Sequence, residues 1–140
     1  MSLYTNEQIF QLIPQRPPIV MIDTVLNATD TTITTSLTVT PDNIFIRNSH
    51  LEEAGLIEHI AQSAAALAGI DSMRQHQMPK IGFVGEVKDF ECHQLPAVCS
   101  TITTGLTELT RLEDIILVEA ETRMEKEPVA HCRMKIFIRS

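Results

Sequence analysis

The stretch Gly55-Leu56-Ile57-Glu58-His59-Ile60-Ala61-Gln62-Ser63-Ala64-Ala65-Ala66-Leu67-Ala68-Gly69 constrains the fold of this chain more than any other segment. It reads as a helix that is small or apolar nearly all round, and such a helix is buried, with protein packed on most of its sides. Its alanines (Ala61, Ala64, Ala65, Ala68) let a surrounding sheet approach closely. The same stretch carries a carboxylate, Glu58, with an amide one turn later, Gln62. A carboxylate in apolar surroundings is costly to ionise unless something satisfies it. Buried carboxylates of that kind are often catalytic.

The rest of the chain supplies what could surround the helix. A short amphipathic helix opens it, with Thr5 as N-cap and Gln8 at the spacing of a capping box, an apolar stripe of Ile9, Leu12 and Ile13, and a stop at Pro14. Pro14-Gln15-Arg16-Pro17-Pro18 reads as an extended connector, because prolines exclude helix. Ile19 to Leu26 and Thr31 to Thr40 read as strands, and Pro41-Asp42-Asn43 as a turn. The central helix is expected from about Leu51 to Gly69, followed by a polar link ending at Pro79. Four strand-like segments come next: Ile81 to Phe90, Val98 to Leu109, Asp114 to Met124 and Val129 to Ile138. Arg111-Leu112-Glu113 and Glu125-Lys126-Glu127 are the expected hairpin turns. Antiparallel strands beside one segregated helix make an α+β layer architecture. One domain over residues 1–140 is expected, and an open sheet edge favours a homodimer, with higher oligomers open.

Composition excludes several classes of function. The net charge of −7 and the absence of Trp argue against nucleic acid, which needs basic residues and stacking platforms. No apolar run reaches membrane-spanning length, since Glu58 and His59 interrupt the best one. The start of the chain has no secretory pattern, and Cys92, Cys99 and Cys132 read as reduced thiols, so a cytoplasmic protein is expected. No cofactor or metal is implied, because the histidines and cysteines show no ligand spacing.

Three motifs in order resemble a known family, the hotdog-fold 3-hydroxyacyl-[acyl-carrier-protein] dehydratases of the FabZ type. Ile13-Pro14-Gln15-Arg16-Pro17-Pro18-Ile19-Val20-Met21-Ile22-Asp23 resembles the family's L-P-H-R-Y-P-F-L-L-V-D. Glu58-His59-Ile60-Ala61-Gln62 is similar to its central-helix E-A-M-A-Q. Gly82-Phe83-Val84-Gly85-Glu86-Val87-Lys88-Asp89-Phe90 resembles Y-F-A-G-I-D-E-A-R-F, and Leu95-Pro96-Ala97 falls at V-V-P-G. The resemblance implies a hotdog fold, one antiparallel sheet wrapped around one long apolar helix. It also implies water elimination from a (3R)-3-hydroxyacyl thioester on acyl carrier protein or coenzyme A, in fatty-acid- or polyene-type biosynthesis.

The family pairs a His in a G-H-F-P-G segment with the helix Glu, drawn from different chains of a dimer. Here the P-G and M-P-G elements are missing, and His50 stands only 8 residues ahead of Glu58. Relatives from bacterial polyene and aryl-pigment pathways share a shortened segment, and the chain resembles that branch.

Elimination needs a base for the C2 proton and an acid for the departing hydroxyl; His50 and Glu58 take these roles respectively by resemblance. Backbone N–H groups around Glu53 to Gly55 would face the thioester oxygen. Gln62 would orient Glu58 or fill core, and Phe83, Val84 and Gly85 would line an acyl tunnel, with Gly85 letting the chain pass close.

Plainer readings stand beside each. Glu58 could be a helix residue bonded to Gln62, and His50 an exposed loop histidine beside Glu52 and Glu53. His59 fits a packing or interface role, with that of an alternative base more distant. Gln15 stands where the family often has a non-catalytic His. Arg16 reads as structural, paired with a carboxylate such as Asp23. Arg16, Arg74, Lys80 and Lys88 are candidates for meeting an acidic carrier protein. Two other functions stay open: a hotdog acyl thioesterase, which would release free thiol, and a non-catalytic acyl-carrier-binding protein.

Overall fold

A computed structural model describes residues 2–78 and 80–139; Pro79, the expected end of the polar link, lies outside them. Tyr4–Thr5 (β1) leads into the short opening helix, which is a 3-10 helix over Asn6–Gln11. The capping box forms, with the Thr5 N–H donating to Gln8 Oε1 at 2.9 Å. Thr24–Ala28 (β2) and Thr32–Thr38 (β3) follow, then a small ribbon of Ile46–Arg47 (β4) and His50–Leu51 (β5). The central helix, Glu53–Arg74 (α1), starts at the expected place but runs past Gly69. Four long strands finish the chain: Ile81–Cys92 (β6), Thr101–Leu112 (β7), Ile115–Met124 (β8) and Glu127–Arg139 (β9).

Seven strands form one antiparallel sheet in the order β1-β2-β3-β7-β8-β9-β6. Alternation makes its inner face. Ile102, Thr104 and Leu106 of β7, Ile116, Val118, Ala120 and Thr122 of β8, and Ala130, Cys132, Met134 and Ile136 of β9 are buried, and residues between them face out. This face curls around α1, whose Leu56, Ile60, Leu67 and Ile70 complete the core. The 3-10 helix closes the open side with Ile9, Leu12 and Ile13, the stripe read in the sequence. The tight turns fall at Glu113–Asp114 and Glu125–Lys126, where Glu113 and Glu125 take positive φ. β7 and β9 therefore run two or three residues further into the hairpins than their composition indicated, while β8 keeps its expected end at Met124 and starts one residue later, at Ile115.

One strand expectation is corrected. Ile19 to Asp23 is not strand, and β2 begins only at Thr24. The Met21 peptide is engaged by helix side chains instead, since its N–H donates to Gln62 Oε1 at 2.6 Å and its carbonyl lies 2.7 Å from His59 Nδ1. Backbone groups must be paired when buried, and here α1 substitutes for a neighbouring strand.

At the sheet's two edges the chain is treated differently. β1 is only two residues long, whereas β6 is a twelve-residue edge. Ile81, Phe83 and Val84 on β6 are 50%, 50% and 42% exposed. Among the described residues no helix is long and apolar enough to cross a membrane.

Candidate active site

Glu58 sits in the second turn of α1, half-buried, and the face below it is built from alanine. Ala61, Ala64, Ala65 and Ala68 floor a cavity of about 300 Å³ that Phe83, Val84, Ile116, Val118, Ile136 and Ile138 wall from the sheet side. Helix rise places Ala68 roughly 15 Å along the axis from Glu58, so the cavity is a tube lying along the helix. Small side chains make the tube possible, because any larger residue on that face would fill it. Lys80, Glu108 and Arg111 also line it, and Arg111 donates to Glu108 through Nε at 2.8 Å and Nη2 at 3.3 Å. That pairing holds the guanidinium proton more firmly than usual.

Gln62 fixes the carboxylate. Its Nε2 donates to Glu58 Oε2 at 2.8 Å and to the Ile19 carbonyl at 2.8 Å, while its Oε1 accepts the Met21 N–H. Gln62 is fully buried and its amide is spent on protein groups, so it orients Glu58 rather than binding substrate. The orientation of the amide is forced, because the Met21 N–H needs an acceptor and the Ile19 carbonyl a donor. Glu58 Oε2 is thereby committed as a hydrogen-bond acceptor.

His59 points the other way and is neither an exposed nor an alternative base. Its Nδ1 meets the Met21 carbonyl and its Nε2 lies 2.8 Å from Thr104 Oγ1, which in turn is 2.6 Å from Thr122 Oγ1. The carbonyl can only accept, so Nδ1 carries the proton and Nε2 accepts from Thr104. Burial lowers the imidazole pKa from 6.5 to about 4. The unfolded chain therefore binds the extra proton between those values. The stabilisation from this group is complete above pH 6.5 and lost as pH falls to about 4, on the order of 3 kcal/mol in total. Denaturant titrations across that range should show this acid slope in wild type and its loss in His59→Met; equal slopes would show that His59 does not cause it.

The remaining expectations divide. Phe83 and Val84 line the cavity as expected, but Gly85 does not let a chain pass. A Cβ there would lie 2.0 Å from the Phe137 ring, which covers the glycine beside the bulge between Val84 and Glu86. Gly55 is corrected too. Its N–H donates to the Glu52 carbonyl at 3.0 Å, and a Cβ would strike Leu51 and Phe45, so it serves the packing of the β4–β5 ribbon against the helix. Arg16 does not pair with Asp23; it donates to the carbonyls of Phe10, Ile13 and Gln15 and lies over the Phe10 ring. Asp23 instead accepts from the Thr38 N–H. Arg74 and Lys88 are paired with Asp30 and Glu86 on the surface.

His50 lies on β5, exposed, with Nδ1 2.7 Å from the Asn48 carbonyl across a turn whose Asn48 and Ser49 both have positive φ. It lines a second cavity with Arg47, Glu52, Glu53 and Gln94 at the start of α1. Within one chain, then, His50 and Glu58 line different cavities. The ribbon that carries His50 is absent from the sequence reading, since two-residue strands leave no periodicity. Gln15, a site-lining residue, also carried no signal beyond its place in the resemblance.

A sheet curled around one apolar helix, with a Gln-held carboxylate over an alanine-floored tube, belongs to the hotdog class, and this chain is a hotdog-fold dehydratase. It belongs to the ApeP-like family, ApeP dehydratase, whose pattern matches residues 7–140. The structure is similar to the dehydratase heterocomplex ApeI:P from Xenorhabdus doucetiae, with a TM-score of 0.89 and 18% identity over 94% of this chain and 91% of that one. The PaaI protein of E. coli, from the phenylacetic acid degradation operon, is similar at TM-score 0.66 and 10% identity over 81% and 80%. A hypothetical thioesterase protein with coenzyme A from Streptococcus pneumoniae is similar at TM-score 0.65 and 8% identity over 83% and 84%. No curated protein matches at the level of sequence.

Proposed function

We propose that the chain eliminates water from a 3-hydroxyacyl thioester carried on acyl carrier protein, within a pair of hotdog protomers. The observation that carries this reading is Glu58, held by Gln62 and opening onto an apolar tube along α1. The partner's His50 takes the C2 proton, the C2–H electrons form the double bond, and the C3–O bond breaks. Glu58 supplies the proton that turns the hydroxyl into water. Pairing across protomers is supported by the exposed β6 edge, which a second sheet edge would satisfy, and by the separate cavities of His50 and Glu58. The second protomer in this reading is a copy of this chain, since a copy is what supplies a second His50.

The test is hydration of an enoyl thioester on acyl carrier protein, followed by loss of ultraviolet absorbance with free thiol monitored together. Hydration that falls on the order of 100-fold or more in His50→Ala supports the reading. Full activity in His50→Ala removes His50 as the base, thiol release without hydration indicates a thioesterase, and tight binding without turnover indicates a carrier-binding protein. Sedimentation of the purified chain should give at least a dimer.

A further inference from the structure

Residues 19–23 lie before β2, and α1 grips the Met21 backbone there from both sides. His59 and Gln62 are three residues apart, so they share a helix face and reach the same residue. His59 takes the Met21 carbonyl, and Gln62 takes the N–H. Behind His59 stand two hydroxyls of the sheet, Thr104 on β7 and Thr122 on β8. Met21, His59, Gln62, Thr104 and Thr122 are all buried to the exclusion of solvent. The direction of each bond is therefore decided by the donors that these groups own.

Those directions all run toward Glu58. The Met21 carbonyl can only accept, so His59 Nδ1 carries the ring proton and Nε2 is bare. The bare Nε2 takes the single Thr104 hydroxyl proton at 2.8 Å, so Thr122 is the donor in the 2.6 Å contact with Thr104 Oγ1. On the other side of Met21 its N–H enters Gln62 Oε1 at 2.6 Å, and Gln62 Nε2 donates to Glu58 Oε2 at 2.8 Å. The link at Met21 is mechanical, because its N–H and its carbonyl belong to consecutive peptide groups. Two sheet hydroxyls and one imidazole thus hold the backbone against which the Gln62 amide is turned.

We propose that His59, held by Thr104 and Thr122, is a positioning residue of the dehydratase site: it fixes the Met21 backbone that turns the Gln62 amide toward Glu58. This rests on Glu58 being the acid. With Oε2 accepting from Gln62, the proton that Glu58 transfers sits on Oε1. His59, Thr104 and Thr122 do not line the tube and touch no substrate, so they act only through Met21 and Gln62. Release of the Met21 carbonyl lets residues 19–21 shift, and the Gln62 amide, bonded to both Ile19 and Met21, shifts with them. A misplaced proton donor costs rate and not substrate binding, because alignment with the reacting oxygen matters only in the transition state.

The test has a spectroscopic arm and a kinetic arm. Nitrogen NMR of the histidine rings at neutral pH should show His59 as one neutral tautomer, protonated at Nδ1 and bare at Nε2. The opposite tautomer overturns the proposal, and this reading needs no variant to fold. In the kinetic arm Thr104→Val keeps the shape of the side chain and removes the hydroxyl, while Thr104→Ser keeps the hydroxyl. Thr35→Val is the matched control, because Thr35 is equally buried and lies 2.7 Å from Ser63 of α1, yet its contact does not lead to Glu58. Thr104→Val should lower kcat for hydration of the enoyl thioester on the order of 10-fold, with KM within about 2-fold of wild type. Thr104→Ser should restore most of that rate, and Thr35→Val should keep the wild-type kcat although it melts earlier. A wild-type kcat in Thr104→Val, an equal fall in Thr35→Val, or no rescue by Thr104→Ser overturns the proposal. Wild-type turnover in Glu58→Gln would instead remove the underlying acid assignment with the His59 tautomer unchanged, so the two failures are distinguishable.

Discussion

Glu58→Gln should abolish hydration of an enoyl thioester while leaving the fold in place. The amide is isosteric with the carboxyl and can still turn its carbonyl oxygen toward Gln62, whose Nε2 donates at 2.8 Å to Oε2 in the native protein. The contact that ties Glu58 to Gln62, and through Gln62 to Met21 and Ile19, therefore survives the substitution. What is lost is a group that can give and take a proton at the cavity mouth. Removing a positioned acid of this kind costs on the order of 100- to 10,000-fold in rate. The check is steady-state hydration beside a denaturant melt, with stability expected within about 0.5 kcal/mol of wild type. Wild-type rates in a folded Glu58→Gln protein would transfer the acid role elsewhere.

Gly69→Ala is the substitution expected to damage the fold most for the fewest atoms. The built Cβ lies 2.0 Å from the Leu12 carbonyl oxygen and 2.7 Å from its carbon, so backbone and not a flexible side chain stands in the way. In the interior of a helix, alanine normally stabilises relative to glycine by about 1 kcal/mol. Here the sign reverses. Relief requires the end of the 3-10 helix to lift from α1, carrying with it Ile9, Leu12 and Ile13, which are all essentially fully buried. A loss of about 3 kcal/mol or more is expected from overpacking of this kind, read as a lower denaturation midpoint at unchanged slope. A neutral or stabilised Gly69→Ala would mean that the two helices do not touch at that point.

The same glycine shows where sequence reading stops. Gly69 followed by a polar stretch has the look of a helix end, yet α1 continues five residues beyond it to Arg74. The glycine marks a close approach of backbone, a contact between residues far apart in the chain that no local pattern encodes. Glycines 55 and 85 repeat the lesson. Gly85 looks like room for a passing chain and Gly55 like part of a backbone N–H site, yet each is covered, by the Phe137 ring in the first case and by Leu51 and Phe45 in the second.

What the sequence alone determined was the architecture and one residue of the site. A helix apolar nearly all round must be wrapped. The four period-2 segments after it can wrap it, and the Glu58–Gln62 spacing places amide and carboxylate one turn apart on the same face. These are local periodicities, legible because each residue's face is set by its position in its own element. Only the tertiary structure decided how the polar groups are spent. It gave Gln62 and His59 to the Met21 peptide, held back the start of β2 to Thr24, put His50 on a two-residue ribbon by a different cavity and left Gln15 Oε1 without a partner among the described residues. Hydrogen bonds between residues about forty positions apart depend on where the packed elements bring their backbones, and that is fixed by the collapse of the whole chain.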